Sequence, residues 1–154
     1  MTVQKLIGDG AAMEAVGAAF AKALRDRGYR IYLAGELGAG KTTWVRGFLR
    51  GLGYEGAVKS PTFALVEQYE LDGRNIVHLD LYRTQNVEEL EWIGIRDWLA
   101  DDTICLVEWP ERGVGALPEP DVLIRLSYQG EGREFSAEAH SPKGASLLAI
   151  LESA

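Results

Sequence analysis

The sequence GELGAGKTTW, residues 35–44, decides the fold that we expect for this chain. It fits the pattern G-x-x-x-x-G-K-[ST], with Gly40, Lys41 and Thr42 in the last three positions. The run RIYLAGEL, which overlaps its start, is rich in β-forming residues and predicts a strand. The run KTTWVRGFLRGLG has the apolar spacing of a helix. A strand, a glycine-rich loop and a helix in this order predict a phosphate-binding loop, or P-loop.

Each fixed residue of this motif has a role in binding the phosphates of a nucleotide. The glycines, Gly35 and Gly40, let backbone N–H groups turn inward toward phosphate oxygens. Lys41 brings a positive charge to the β- and γ-phosphates, and the Thr42 hydroxyl can coordinate Mg²⁺. The amino end of the following helix adds unpaired N–H groups. We therefore expect a nucleotide site here, with Lys41 facing solvent until a nucleotide binds.

A P-loop that supports hydrolysis also needs an acidic residue near the metal, usually where a core strand ends. Asp80 follows NIVHL and Glu108 follows TICLV, so both stand at predicted strand ends. Either carboxylate can hold Mg²⁺ directly or through water, and either can orient a water molecule, so these alternatives stay open. Thr62, in VKSPTF, stands where a loop can meet the γ-phosphate or its Mg²⁺, although a simple Ser-Pro turn is the other interpretation.

The remaining pattern predicts one α/β domain over residues 1–154. An amphipathic helix precedes the first strand and is expected to end at Gly28. The dipeptide Asp72-Gly73 and the segment 129–132 predict two hairpins, and Asn86 predicts a helix cap. The element order is α-β-α-ββ-α-β-ββ-α. We therefore expect a P-loop NTPase-like fold, in which a central sheet with antiparallel hairpin additions is flanked by helices.

Composition limits the partners and the environment that we expect. The chain has 154 residues and a net charge of −7, so it lacks the broad positive surface that direct binding of DNA or RNA requires. Its one cysteine, Cys105, lies in the apolar run TICLVEW and is expected to be a buried thiol. No run approaches the ~20 apolar residues of a membrane span and no targeting segment is visible, which predicts a cytoplasmic protein.

Five short motifs together resemble those of one bacterial family. They are GELGAGKTT, VKSPTF, HLDLYR, EEL…GI and VEWPER, in the order and spacing of the TsaE family of small P-loop ATPases. The resemblance covers nearly the whole chain. It implies an ATPase that supports synthesis of N6-threonylcarbamoyladenosine on tRNAs that read codons beginning with A. It also implies the partners TsaB and TsaD, with TsaC supplying the activated group and tRNA contacted only through the complex.

The resemblance also implies a role for each site residue, with ATP or ADP and Mg²⁺ as cofactors. The cradle would consist of Gly35, Gly38, Ala39, Gly40, Lys41, Thr42 and Thr43, with the lysine also catalytic. Thr62 would belong to a switch-like loop, and Asp80 and Glu108 would serve the metal and the water. Trp109 would lie beside the nucleotide, although an aromatic residue after a strand is more often part of the core. The first helix and the chain near Arg133 would border the adenine.

Three other functions are alternatives to a TsaE-like ATPase. A small GTPase usually carries an Asn/Thr-Lys-x-Asp loop and a D-x-x-G switch, and neither occurs here. A nucleotide or small-metabolite kinase commonly carries an arginine-rich lid, which we do not find. A nucleotide-sensing binding module, in which hydrolysis is incidental, is compatible with the sequence. The two histidines, His78 and His140, stand far apart and predict no zinc site, and His78 is expected to be a packed strand residue.

Overall fold

The computed structural model describes residues 1–59 and 66–153 of the chain. The strands in these ranges are β1 (Thr2–Ile7), β2 (Tyr29–Gly35), β3 (Val66–Leu71), β4 (Arg74–Asp80), β5 (Thr103–Glu108), β6 (Val122–Gln129) and β7 (Gly132–Ala139). The helices are α1 (Gly10–Ala23), α2 (Lys41–Gly51), α3 (Val87–Trp92), α4 (Ile95–Trp98) and α5 (Pro142–Ser153), with a 3-10 helix at Pro110–Gly113. None of these helices is long and apolar enough to cross a lipid bilayer.

The strands of the described ranges form one sheet in the order β1-β7-β6-β2-β5-β4-β3. The four strands β6, β2, β5 and β4 are parallel, and β7, β1 and β3 are antiparallel additions at the two sides. This is the central sheet with antiparallel hairpin additions that the sequence predicts. Because β2, β5 and β4 are parallel neighbours, the P-loop after β2 and the residues that end β5 and β4 meet at the same edge of the sheet.

The two predicted hairpins and the predicted helix cap are confirmed. Asp72 and Gly73 join β3 to β4 with φ angles of 54° and 72°, the left-handed conformation that a two-residue turn between twisted strands requires. The turn between β6 and β7 is built around Gly130, whose φ is 61°. At the start of α3, the Asn86 side chain accepts a hydrogen bond from the Glu89 N–H at 3.2 Å.

The first two elements of the chain differ from the prediction. The sequence pattern does not indicate β1, because this edge strand buries few of its side chains and depends on pairing with β7. The helix α1 ends at Ala23 rather than at Gly28, so that prediction is wrong. The backbone N–H groups of Arg25 and Asp26 donate to the Tyr29 hydroxyl instead of continuing the helix. The hydroxyl of Tyr29, which lies beyond the helix, therefore determines where α1 ends.

The helices α1 and α2 pack side by side on one face of the sheet, and their contact helps to place the P-loop. A side chain at Gly17 of α1 would collide with the backbone carbonyl of Trp44, and one at Gly47 of α2 would collide with that of Glu14. Glycine at these two positions lets the backbones approach closely. The Phe20 and Trp44 rings meet edge to face, 5.2 Å apart, next to this crossing. On the other face, α3 and α4 pack against β4 and β5.

The Cys105 thiol is expected to be unreactive in the folded protein. Cys105 lies in β5 and is 1% exposed, and burial raises the pKa of its thiol to about 12. A raised pKa keeps the thiol protonated at mildly alkaline pH, and the thiolate is the reactive form. We therefore expect no reaction with dithiobis(nitrobenzoic acid) until the protein is unfolded in concentrated guanidinium chloride. Rapid reaction of the folded protein would show that β5 opens readily.

Candidate functional site

The P-loop connects the end of β2 to the start of α2. Gly38 and Gly40 have φ angles of 79° and 111°, in the left-handed region that favours glycine. A side chain on Gly40 would also come within 2.9 Å of the Met13 methyl group. Ala39 is fully buried, and Gly35 ends β2. The predicted cradle residues therefore form one tight turn whose shape depends on glycine at positions 38 and 40.

The lysine of the motif is buried. Lys41 is 4% exposed, so the expectation that it faces solvent is wrong. Its ammonium group donates hydrogen bonds to the carbonyl oxygens of Gly35 and Glu36, and it lies 4.2 Å from the centre of the Trp109 ring. Burial lowers the pKa of Lys41, and nearby carboxylates, Glu108 foremost, oppose that shift. Carbonyl oxygens and an aromatic face thus take the place of water around this cation.

Thr42 and Glu108 are joined directly. The Thr42 hydroxyl donates to the Glu108 carboxylate and lies 3.1 and 3.0 Å from its two oxygens. Asp80 is the register partner of Glu108 on the adjacent parallel strand, so two carboxylates stand side by side at the edge of the sheet. A hydroxyl and two carboxylates are oxygen donors of the kind that Mg²⁺ prefers. This donor set fits that ion.

The surroundings of Asp80 disfavour its charged form. Partial burial raises the pKa of the Asp80 carboxyl, and the neighbouring charge of Glu108 raises it further. The Tyr82 backbone N–H, which donates to Asp80 Oδ1 at 2.9 Å, opposes this rise. A cation bound beside the two carboxylates would relieve their mutual repulsion.

Trp109 lies beside the P-loop lysine. It follows β5 with a left-handed backbone, φ 59°, and its backbone N–H donates to the Leu33 carbonyl at 3.2 Å. Its half-buried ring contacts the Lys41 ammonium and packs against Tyr82, with 5.0 Å between the ring centroids. The Arg112 guanidinium lies 5.5 Å from the Tyr82 ring and 5.7 Å from the Trp109 ring. Two aromatic rings and a second cation therefore border the lysine end of the cradle.

A cavity of about 320 Å³ adjoins the cradle on the side of Thr43. Its walls come from the start of α1 with Asp9, from P-loop residues 38–40, and from the β6–β7 turn with Arg133. The Asp9 side chain also caps α1 by accepting from the Ala12 N–H at 2.8 Å. The first helix and the chain near Arg133, which the resemblance associates with adenine, thus border a cavity next to the P-loop.

The sequence does not predict the contact between His78 and Glu108. His78 is fully buried, as predicted, but its Nε2 lies 2.6 Å from Glu108 Oε2. Alternate residues of a strand share a face, so His78 and Asp80 lie on the same side of β4. The two-residue spacing between His78 and Asp80 in the sequence therefore indicates that His78 lies near the site.

Two residues of the β6–β7 hairpin also reach the P-loop. The Tyr128 hydroxyl donates to the Leu37 carbonyl at 2.7 Å. The Arg133 guanidinium donates to the Gly38 carbonyl at 3.3 Å and lies 4.2 Å from the centre of the Tyr128 ring. No local pattern indicates these contacts, because 91 residues separate Tyr128 from Leu37.

The structure brings most of the predicted site residues together at one edge of the sheet. These are Gly35, Gly38, Ala39, Gly40, Lys41, Thr42, Thr43, Asp80, Glu108 and Trp109. Thr62 lies outside the described residues, so its role stays a prediction.

Comparison with a solved structure supports the fold class. The crystal structure of YdiB from Bacillus subtilis is 26% identical to this chain, with a TM-score of 0.80. The superposition covers 99% of this chain and 95% of that one. The chain therefore has the P-loop NTPase-like α/β fold that the sequence predicts.

Comparison with protein families and curated proteins gives one consistent result. The family model described as threonylcarbamoyl adenosine biosynthesis protein TsaE matches residues 7–135. The tRNA threonylcarbamoyladenosine biosynthesis protein TsaE of Haemophilus influenzae is 47% identical over 123 residues, covering 80% of this chain and 78% of that protein. The protein of the same name from Streptomyces coelicolor is 41% identical over 117 residues, covering 74% and 78%. The chain therefore belongs to the TsaE family.

Proposed function

We propose that this protein binds ATP with Mg²⁺ and hydrolyses it in support of N6-threonylcarbamoyladenosine synthesis on tRNAs that read codons beginning with A. One observation carries the proposal: Lys41, Thr42 and Glu108 lie together at a P-loop, with the Thr42 hydroxyl bonded to the Glu108 carboxylate. The names of the relatives support the tRNA-modification part of the proposal.

The cradle residues would bind the phosphates of ATP or ADP. The N–H groups of residues 38–43, which include the amino end of α2, supply donors for phosphate oxygens. Lys41 would exchange its bonds to P-loop carbonyls for bonds to the β- and γ-phosphates. The base and ribose would occupy the cavity of about 320 Å³ that Thr43 and Arg133 border. Trp109 would contact the nucleotide beside the lysine.

Thr42, Glu108 and Asp80 would hold Mg²⁺, directly or through water, and the bound ion would neutralise charge on the phosphates. The Thr42 hydroxyl proton points to Glu108, which leaves the lone pairs of its oxygen for a cation. Either Asp80 at the end of β4 or Glu108 at the end of β5 would also orient the attacking water. For Thr62 we propose, from the sequence alone, a contact with the γ-phosphate.

The partners that we propose are TsaB and TsaD, with tRNA contacted only through their complex, in the cytoplasm. The net charge of −7 supports indirect contact with tRNA, because an acidic protein gains little from an RNA backbone. Efficient P-loop hydrolysis usually needs a further cationic group, which can arrive from a partner protein. We therefore expect slow hydrolysis by the isolated protein and faster hydrolysis in the presence of its partners.

The test compares ATP hydrolysis by the protein alone, with tRNA, and with TsaB plus TsaD, and measures modified adenosine in the same reactions. We expect the rate to rise about tenfold or more with the two proteins and little with tRNA alone. Stimulation by tRNA with none from the proteins would instead indicate an RNA-dependent ATPase. A non-hydrolysable ATP analogue tests the sensing-module alternative: if it supports modification as well as ATP does, hydrolysis is incidental.

A further inference from the structure

We propose that His78 is a positioning residue for Glu108, whose carboxylate it holds against Thr42 by donating an Nε2–H bond to one carboxylate oxygen. The inference deepens the proposed function and rests on it, because Glu108 matters only if a metal-bound nucleotide occupies the cradle. His78 touches neither nucleotide nor metal in this arrangement. It acts through Glu108.

The contact is short, buried and set by the sheet itself. His78 Nε2 lies 2.6 Å from Glu108 Oε2, and the two side chains are 0% and 3% exposed. His78 pairs in register with Leu106 of β5, so Glu108 lies two residues further along the neighbouring strand, on the same face. The parallel pairing of β4 and β5 therefore fixes the separation of the two side chains without help from a loop.

The surroundings of the two His78 ring nitrogens indicate the direction of this hydrogen bond. Nε2 faces a Glu108 carboxylate oxygen, and a carboxylate only accepts, so Nε2–H is the donor. Nδ1 is buried and has no hydrogen-bond partner among the described residues. Within the described part of the chain, His78 therefore holds Glu108 through Nε2.

Glu108 needs a fixed orientation because a second carboxylate stands beside it. Asp80 is its register partner on the adjacent strand, and repulsion between two neighbouring carboxylates favours rotation of one side chain away from the other. Because the Thr42 hydroxyl contacts both oxygens of Glu108, its hydrogen bond alone does not stop the carboxylate from rotating about the hydroxyl. The donor on Oε2 removes this freedom. Donors that orient metal-binding residues typically change affinity or activity about 10- to 100-fold when they are removed.

Three variants separate positioning from packing. His78→Gln keeps an N–H donor near the place of Nε2, whereas His78→Leu keeps the bulk of the side chain and removes the donor. His140→Gln is the matched control, because His140 is the other histidine of the chain. His140 is partly exposed and pairs with Glu138 and Glu119 at the surface, away from the P-loop.

The first measurement is steady-state ATP hydrolysis with the partner proteins present. We expect His78→Leu to lower kcat about 10- to 100-fold at saturating ATP and Mg²⁺. His78→Gln should recover most of the lost kcat, and His140→Gln should match the wild type. A packing role predicts the reverse order, with leucine tolerated and the buried amide harmful. Wild-type kcat in His78→Leu, or equal losses in both His78 variants, would overturn the proposal.

Two further measurements do not depend on hydrolysis. In heteronuclear NMR spectra of the histidine rings, His78 should carry a proton at Nε2, and that N–H signal should move in Glu108→Gln while the His140 signals stay in place. In calorimetric titrations, ADP should bind His78→Leu more weakly than wild type when Mg²⁺ is present and equally well in EDTA.

These measurements distinguish the failure of each proposal. Wild-type protein that does not hydrolyse ATP with its partners would refute the proposed function, and the spectra and titrations would still decide the role of His78. An unprotonated Nε2, or a Mg²⁺-dependent ADP affinity that is the same in His78→Leu and wild type, would refute positioning even if hydrolysis is confirmed.

Discussion

Replacing Glu108 by glutamine is expected to lower the rate of ATP hydrolysis by about 100- to 1000-fold while the protein stays folded. Glutamine has nearly the same shape as glutamate, and its carbonyl oxygen can still accept a bond from Thr42 or His78. It lacks the negative charge that holds a cation beside the phosphates. The measurements are single-turnover hydrolysis with the partner proteins, ATP binding, and circular dichroism of each variant.

Two comparisons make this result interpretable. Glu111→Gln is the matched control, because Glu111 is an exposed glutamate of the neighbouring 3-10 helix and its charge also acts on Lys41. Asp80→Asn should reduce turnover as well, since it removes the other carboxylate of the pair. Full turnover in both the Glu108 and the Asp80 variants would show that these residues do not form the metal site. Loss of the folded spectrum in Glu108→Gln would show that its contacts are structural.

Replacing Lys41 by methionine is expected to weaken ATP binding by about 100-fold or more, with the folded state retained. The lysine supplies the positive charge at the phosphates, and methionine keeps only the aliphatic volume next to Trp109. Burial disfavours the charged form of Lys41 and lowers its pKa, and this cost offsets part of the stabilisation from its hydrogen bonds to the P-loop carbonyls. Removing that charge should therefore change the stability of the nucleotide-free protein little, in contrast to its large effect on affinity.

The measurements for Lys41 are calorimetric titration with ATP and ADP and thermal unfolding without nucleotide. Lys143→Met is a matched control, since the Lys143 ammonium also lies over an aromatic ring, 5.3 Å from the centre of Tyr29, on a different element. Wild-type affinity in Lys41→Met would contradict phosphate binding by this residue. A large drop in its unfolding temperature, absent from Lys143→Met, would mean that the bonds of Lys41 to the P-loop carbonyls hold the fold together.

The sequence predicts the parts of the molecule whose cause is local. The strand, the glycine loop and α2 follow from one short motif, and the turn between β3 and β4 follows from the dipeptide Asp72-Gly73. Asp80 and Glu108 stand out because each follows a run of apolar residues that becomes a core strand. Their meeting at one edge follows from the parallel pairing of β4 and β5.

The parts that the sequence does not predict depend on residues far away in the chain. β1 forms because β7 offers an edge to pair with. His78 meets Glu108 only in the observed register of β4 and β5. Lys41 is buried because Trp109, from the end of another strand, lies against it, and no spacing within the P-loop motif contains that information.

The hydrogen bonds from the β6–β7 hairpin to the P-loop bear on the entropy of nucleotide binding. A glycine-rich loop that is free in solution loses conformational freedom when it closes on phosphate, and this loss reduces affinity. Tyr128 and Arg133 hold the Leu37 and Gly38 carbonyls by hydrogen bonds within the protein, which need no nucleotide. These bonds order the loop as the chain folds rather than when the nucleotide arrives. The β6–β7 hairpin, on the side of β2 away from Asp80 and Glu108, therefore contributes to affinity through the loop that it holds.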